Sequence, residues 1–109
     1  MFKLAVFDWN GTVINDADAC WKASNESLAH FNAPPISYDH FRETMDFPVL
    51  HFYTRNGVSA DDYLRELQEA GIRYLSTYQT LAKDCATVAG VRELLDWLLD
   101  NNVRLMVLS

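Results

Sequence analysis

The chain has 109 residues, of which 50% are hydrophobic and 22% charged, and its formal net charge is −6. Proteins that bind the phosphate backbone of nucleic acids normally carry an excess of Lys and Arg, so nine basic against fifteen acidic residues disfavour a nucleic-acid partner. No apolar run approaches the roughly 18 residues that cross a bilayer, and Asp8 interrupts the apolar start early. We therefore expect no membrane partner, no signal peptide and a cytoplasmic location.

The first predicted element is a strand over residues 2–7, where only Lys3 interrupts an apolar run. A continuous apolar run, as opposed to strict alternation, is typical of a strand covered on both faces in a parallel α/β sheet. Asp8 ends the run, and Gly11 signals a turn soon after it.

The middle of the chain predicts a series of helices. The first covers about 16–31 and stops at the two prolines that follow. Ser37 and Ser59 are predicted to cap two later helices, and another covers 49–55 with Pro48 at its start. A periodic pattern then continues to about residue 84, with a break expected at Gly71.

The last predicted elements are an amphipathic helix over 90–102 and a second apolar strand over 103–108. Helix followed by buried strand is the second half of a βαβ crossover. An ordinary crossover needs one helix, so the additional helices predict an inserted subdomain.

The residues with the clearest chemical meaning follow the first strand, in the segment Asp8-Trp9-Asn10-Gly11-Thr12. Ligands of open α/β sheets collect at the carboxyl ends of the strands, and an exposed carboxylate there can act as a nucleophile in phosphoryl transfer. Phosphate and carboxylate repel each other, so this chemistry calls for a divalent cation. Mg²⁺ suits an oxygen-only site with few protein ligands.

This segment resembles the first motif of haloacid dehalogenase-like hydrolases, Asp-x-Asp-Gly-Thr after an apolar strand. The apolar run 105–108 followed by Ser109 resembles the second motif, and the helical insertion resembles the cap of the subfamily that includes phosphoglycolate phosphatase. The resemblance implies an α/β fold: part of a Rossmann-like parallel-sheet core with an inserted α-helical cap. It divides the chain into core (1–14), cap (15–84) and core again (85–109).

The resemblance also implies roles for individual residues. Asp8 would be the nucleophile of a hydrolase of small phosphomonoesters, and would form an aspartyl-phosphate. Asp8 and the carbonyl of Asn10 would bind Mg²⁺, whereas Gly11, Thr12 and Ser109 would bind the phosphate of a small phosphorylated substrate. It also implies that the core is incomplete at Ser109, because the family's Lys and acidic motifs come later. The chain is therefore expected to be an N-terminal fragment that is inactive alone.

Asn10 departs from the family pattern, which has an acid–base Asp at this position. An amide cannot give up or accept a proton at neutral pH, and general acid–base help is typically worth roughly 10²–10⁴-fold in rate. The alternative function is therefore a catalytically weak or inactive relative that binds a phosphorylated ligand or a protein partner. A phosphotransferase is disfavoured, since it would need the missing Asp even more.

Other polar residues have simpler interpretations. Asp16 and Asp18 are predicted to favour the dipole of the first cap helix, in its first turn. Lys22 and Arg42 are expected to face solvent, although they could reach an anionic substrate. The sequence does not predict the substrate's identity or the oligomeric state.

Overall fold

A computed structural model describes residues 3–108 of the chain. Two strands, β1 (Leu4–Asp8) and β2 (Arg104–Leu108), form a parallel pair in which Asp8 lies opposite Leu108. Because the strands run in the same direction, both end at the same edge of the sheet. The parallel α/β core predicted from the apolar runs is confirmed, although Phe2 lies outside the described residues.

Six helices connect these strands within the described residues. The predicted helices over 16–31, 49–55 and 90–102 correspond to observed ones with boundaries shifted by one or two residues, as expected where helix ends fray. The helices are α1 (Ala17–His30), α2 (Tyr38–Thr44), α3 (Leu50–Arg55), α4 (Ala60–Arg65), α5 (Leu67–Ala82) and α6 (Val91–Asp100).

The described chain divides into two compact units. The sheet unit consists of residues 3–17 and 84–108, with β1, β2 and α6, and the helical unit consists of residues 18–83, with the remaining helical segments. That the helical unit serves as the cap of an enzyme stays a prediction.

The helical unit is built around its own apolar core. One cluster of buried residues forms this core: Leu28 from α1, Phe41 from α2, Phe52 and Tyr53 from α3, and Val58. The rings of Phe41 and Phe52 meet edge to face with centroids 6.0 Å apart, and those of Phe52 and Tyr53 do so at 5.3 Å. Such arrangements stabilise aromatic pairs beyond their simple burial.

Both predicted serine caps are confirmed. The Ser37 hydroxyl accepts a hydrogen bond from the His40 backbone N–H at 3.1 Å, and Ser59 accepts one from Asp62 at 3.1 Å. A serine at this position satisfies one of the backbone donors that the first helical turn leaves without a partner.

The break predicted at Gly71 is wrong. Gly71 lies inside α5, and the helical segments separate at Glu66 instead. A glycine costs a helix interior only about 1 kcal/mol relative to alanine, so the neighbouring helix-forming residues carry the helix past it.

The strands are less covered than the apolar runs predicted. Val6, Met106 and Val107 are each about half exposed, at 50%, 48% and 50%. Whether an apolar strand is buried depends on the elements packed against its two faces, which its own sequence does not contain.

Candidate active site

Asp8 is the last residue of β1, and it is exposed. The Trp9 backbone N–H continues the pairing past the strand end by donating to the Leu108 carbonyl at 3.1 Å. Asp8 is therefore anchored between paired backbone on both sides, while its carboxylate is accessible at the carboxyl edge of the sheet. This is the place at which open α/β sheets bind ligands.

The loop after Asp8 turns sharply back on itself. Gly11 adopts φ of +73°, a left-handed conformation that side chains disfavour, which explains the glycine here. Its N–H donates to the Ile14 carbonyl at 3.0 Å, while the N–H groups of Val13 and Ile14 donate to the Trp9 carbonyl at 3.0 and 3.1 Å. These hydrogen bonds close the segment between Trp9 and Ile14 into a tight turn next to Asp8, the candidate nucleophile.

Backbone hydrogen bonds also attach the far side of this loop to the segment before α6. The Asn15 N–H donates to the Ala86 carbonyl at 2.8 Å, and the Val88 N–H donates to the Val13 carbonyl at 2.9 Å. Val13 itself is buried, at 4% exposed. The loop is therefore held by the sheet unit at both of its ends.

Asn10 and Asp16 form the main side-chain contact of the candidate site. The amide Nδ2 of Asn10 donates to the carboxylate Oδ2 of Asp16 at 2.7 Å, and Asp16 is only 2% exposed. A carboxylate oxygen accepts this hydrogen bond and the amide nitrogen donates it, so the contact determines which end of the amide faces Asp16. Asn10 is thereby held in one orientation, with its Nδ2 toward Asp16.

This contact gives Asp16 a role in addition to the one predicted for it, which was to favour the dipole of the first helix. Asp16 precedes α1, whose first residue is Ala17, and its carboxylate accepts from Asn10 inside the loop. In the sequence, Asp16 is simply an acidic residue six positions after Asn10. This spacing does not predict a contact, because the contact depends on the turn at Gly11. Asp18 does lie in the first turn of α1, as predicted.

The predicted phosphate ligands are only partly described. Thr12 is exposed within the turn, and Gly11 uses its N–H for the Ile14 carbonyl. Ser109 lies outside the described residues, but Leu108 before it pairs with Asp8. The phosphate-binding role of Gly11, Thr12 and Ser109 stays a prediction.

The residues near Asp8 fit the requirements of Mg²⁺. Within residues 3–108, no three His, Cys, Asp or Glu side chains gather into a metal-binding cluster. The donors predicted for the metal are the carboxylate of Asp8, which is exposed, and the backbone carbonyl of Asn10, two residues later. Mg²⁺ commonly binds through one or two carboxylates and completes its shell with water and phosphate oxygens, so this small oxygen set is compatible with it.

The two cationic residues considered as substrate contacts are exposed, as expected. Lys22 forms an ion pair with Asp18 at 2.8 Å on the surface of α1. The guanidinium of Arg42 lies 5.9 Å from the centre of the Tyr38 ring. Both have partners within the helical unit, which is what solvent-facing helix residues commonly do.

Comparison with known families now identifies the chain. The sequence profile of haloacid dehalogenase-like hydrolases matches residues 5–109. The chain belongs to this family. Membership agrees with the resemblance of the first loop and with the parallel strand pair. The comparison with curated proteins gives no significant match.

Solved structures of several other proteins share the fold. A predicted phosphoglycolate phosphatase from Lactobacillus plantarum is 20% identical with a TM-score of 0.75, and the match covers 98% of this chain and 49% of that one. A predicted haloacid dehalogenase-like hydrolase from Bacteroides fragilis is 14% identical with a TM-score of 0.74, covering 100% and 51%. A predicted phosphoglycolate phosphatase from Haemophilus somnus is 20% identical with a TM-score of 0.69, covering 98% and 51%.

The chain thus spans about half the length of these structural neighbours. At such low identities the likeness establishes the fold. Among residues 3–108, no helix combines the length and apolar character that a bilayer crossing requires.

Proposed function

We propose that the whole protein is a phosphatase that hydrolyses small phosphomonoesters through an aspartyl-phosphate on Asp8. One observation carries the proposal: in a chain of this hydrolase family, an exposed carboxylate ends β1 at the carboxyl edge of a parallel pair, followed at once by a tight glycine turn. The helical unit as substrate-selecting cap and the cytoplasmic location are parts of the same proposal.

In the first step, a carboxylate oxygen of Asp8 attacks phosphorus, and an acyl phosphate forms as the ester P–O bond breaks. The departing oxygen then needs a proton unless it is a stable anion. Asn10 donates its Nδ2 hydrogen bond to Asp16 and cannot release a proton at neutral pH. Activated aryl phosphates should therefore react readily, and alkyl phosphates slowly.

In the second step, water attacks the phosphorus of the acyl phosphate, which releases inorganic phosphate and regenerates the Asp8 carboxylate. The water must lose a proton, and the amide of Asn10 can orient it but cannot accept that proton. We expect this hydrolysis to be slow, so the phosphoenzyme should accumulate.

Mg²⁺ would be held by the carboxylate of Asp8 and the backbone carbonyl of Asn10. When bound, it would offset the repulsion between the Asp8 carboxylate and the phosphate oxygens. Asp8→Asn removes the charged ligand, so Mg²⁺ affinity measured by calorimetry should fall. Unchanged affinity would place the metal elsewhere.

The decisive experiment traps the phosphoenzyme. The whole protein is mixed with an aryl phosphate and Mg²⁺ and quenched in acid within milliseconds, and phosphate on Asp8 is measured by mass spectrometry. We expect a phosphorylated Asp8, and none in the Asp8→Asn variant. Asp18→Asn is the matched control, because it removes an exposed carboxylate from α1 and should leave the phosphoenzyme level unchanged.

The second candidate is a weak or inactive relative that binds a phosphorylated ligand or a protein partner, and the amide at position 10, held by Asp16, favours it. It predicts that phosphate binds without any phosphoenzyme from aryl or alkyl substrates. The trapping experiment therefore separates the two functions.

A further inference from the structure

The helical unit contains a cavity of about 480 Å³ that the proposed phosphatase chemistry does not use. Residues from α1, α2, α3, α4 and α5 contribute to its walls, among them Cys20, Phe41, Phe52 and Tyr74. All of its lining residues lie between 18 and 83, so the cavity belongs to this unit alone. Small-molecule sites typically measure roughly 300–1,000 Å³, and this cavity is within that range.

No lining residue carries a charge. The walls consist mainly of aliphatic and aromatic side chains, and the polar Tyr53 hydroxyl is already hydrogen-bonded to Ser27. Burial raises the pKa of Tyr53 above its ordinary value, so the ring stays neutral at physiological pH. Charged ligands would lose their hydration here without gaining a partner, whereas uncharged apolar groups would lose little.

Aromatic contacts hold the walls in place. The Tyr53 and Tyr63 rings are 4.5 Å apart, and the Phe41 and Phe52 rings meet edge to face at 6.0 Å. All four line the cavity. A pocket whose walls are packed against each other in this way is preformed, which lowers the entropy that a ligand must lose on binding.

Gly71 leaves part of the cavity wall open. It lies inside α5 and in the cavity wall, and apart from its chain neighbours and its own helix backbone no atom lies within 4 Å of a Cβ built on it. Its φ is not positive, so neither backbone geometry nor close packing requires a glycine. Glycine is less favourable than alanine in a helix interior, and its effect here is to leave space in the wall.

We propose that this cavity binds an uncharged, largely apolar molecule about the size of two or three fused rings, with one ring next to Gly71. The size follows from volume, since an apolar cavity of roughly 150 Å³ accommodates benzene and this one is about three times larger. Phe47, Leu67 and Leu75 in the lining are exposed at 80%, 46% and 52%, and a ligand would cover part of this apolar surface.

The test titrates the whole protein with N-phenyl-1-naphthylamine, an uncharged probe whose fluorescence rises in apolar surroundings. We expect saturation at one probe per chain. Gly71→Leu places a side chain in the space that the probe needs and should weaken binding about tenfold or more. Gln68→Leu adds the same side chain at an exposed position of the same helix, outside the cavity, and should bind like the parent.

A second measurement does not depend on any variant. In protein labelled with ¹³C at the methionine methyl groups, the probe should shift the signal of Met45, which lines the cavity, and leave that of Met106 in β2 unchanged. Absence of saturable binding, equal binding by the Gly71→Leu and parent proteins, or an unmoved Met45 signal would each overturn the proposal. The probe contains no phosphate, so these results are independent of the phosphatase test.

Discussion

The helical unit and the sheet unit are each stabilised from within by different interactions. In the helical unit, Phe52 and Leu28 are 1% and 0% exposed and pack within a single apolar cluster. In the sheet unit, Trp97 on α6 is 60% exposed, and the strands are half exposed. What is tightly defined there is the backbone around Asp8, through the strand pairing and the hydrogen bonds of its loop.

Because of this difference, we expect substitutions in the two units to affect different properties: stability in the helical unit and catalysis in the sheet unit. Buried apolar side chains define the helical unit, so changes there should act on the free energy of unfolding. Hydrogen bonds and one buried carboxylate define the candidate site, so changes there should act on turnover.

The largest effect is expected from exchanging the two residues of the Asn10–Asp16 contact. The double variant Asn10→Asp/Asp16→Asn keeps an amide-to-carboxylate hydrogen bond but places the acid at position 10. If the protein is a phosphatase, alkyl-phosphate turnover should rise by roughly 10²–10⁴-fold, which is the usual contribution of a positioned acid–base group. Steady-state rates with alkyl and aryl phosphates measure this, and the aryl rate should change much less.

The single variant Asn10→Asp is the informative control. It places two carboxylates at a contact of 2.7 Å, where both cannot be ionised without strong repulsion. We expect a smaller gain than for the double variant. Equal rates for the two proteins, with unchanged circular dichroism, would show that Asp16 does not control the group at position 10.

Truncating one aromatic residue in each unit should separate their stabilities. In the 109-residue chain, Phe52→Ala should lower the free energy of unfolding by about 3–5 kcal/mol, because it empties a buried site. Trp97→Ala should change it by about 0.5 kcal/mol or less, since most of that ring is in water. Urea unfolding followed by circular dichroism at 222 nm provides both values. A similar loss for Trp97→Ala would contradict the exposure of this ring.

A smaller effect is expected from the buried hydroxyl pair of the helical unit. Ser27 is fully buried, and its hydroxyl bonds to that of Tyr53 and to the Ala70 carbonyl at 3.3 Å. Ser27→Ala should cost about 1–3 kcal/mol, because the Tyr53 hydroxyl loses its buried partner. Ser76→Ala removes an exposed hydroxyl from α5 and should be close to neutral in the same unfolding assay. Equal losses of unfolding free energy for Ser27→Ala and Ser76→Ala would show that the Ser27–Tyr53 hydrogen bond does not stabilise the helical unit.

The smallest effect concerns alkaline pH. Burial raises the pKa of Tyr53 above its ordinary value of 10.0, so the folded state keeps a proton that the unfolded state has released. The resulting stability is fully present below pH 10 and is lost as pH rises through the folded pKa. Melting temperatures between pH 8 and 11 should therefore fall less steeply for Tyr53→Phe than for the parent. Parallel curves would contradict this.

Local signals in the sequence were sufficient for much of the fold. Ser37 and Ser59 cap helices because a hydroxyl three residues before a free N–H can bond to it wherever the helix lies. The same holds for the apolar runs that become β1 and β2, and for the polar segment beginning at Asp8. The signal for each of these is local, although β1 and β2 form only by pairing with each other across the length of the chain.

Which distant side chains meet depends on how the chain folds back on itself. The sequence predicted Asp16 near the start of a helix, but its contact with Asn10 exists only because the turn at Gly11 brings the two side chains together. Gly71 reads as a helix breaker until α5 is seen to continue through it and to leave its Cβ position facing open space. The physical reason is the same in both cases: propensity acts over a few residues, whereas burial and cavities are determined by elements that pack together from separate parts of the chain.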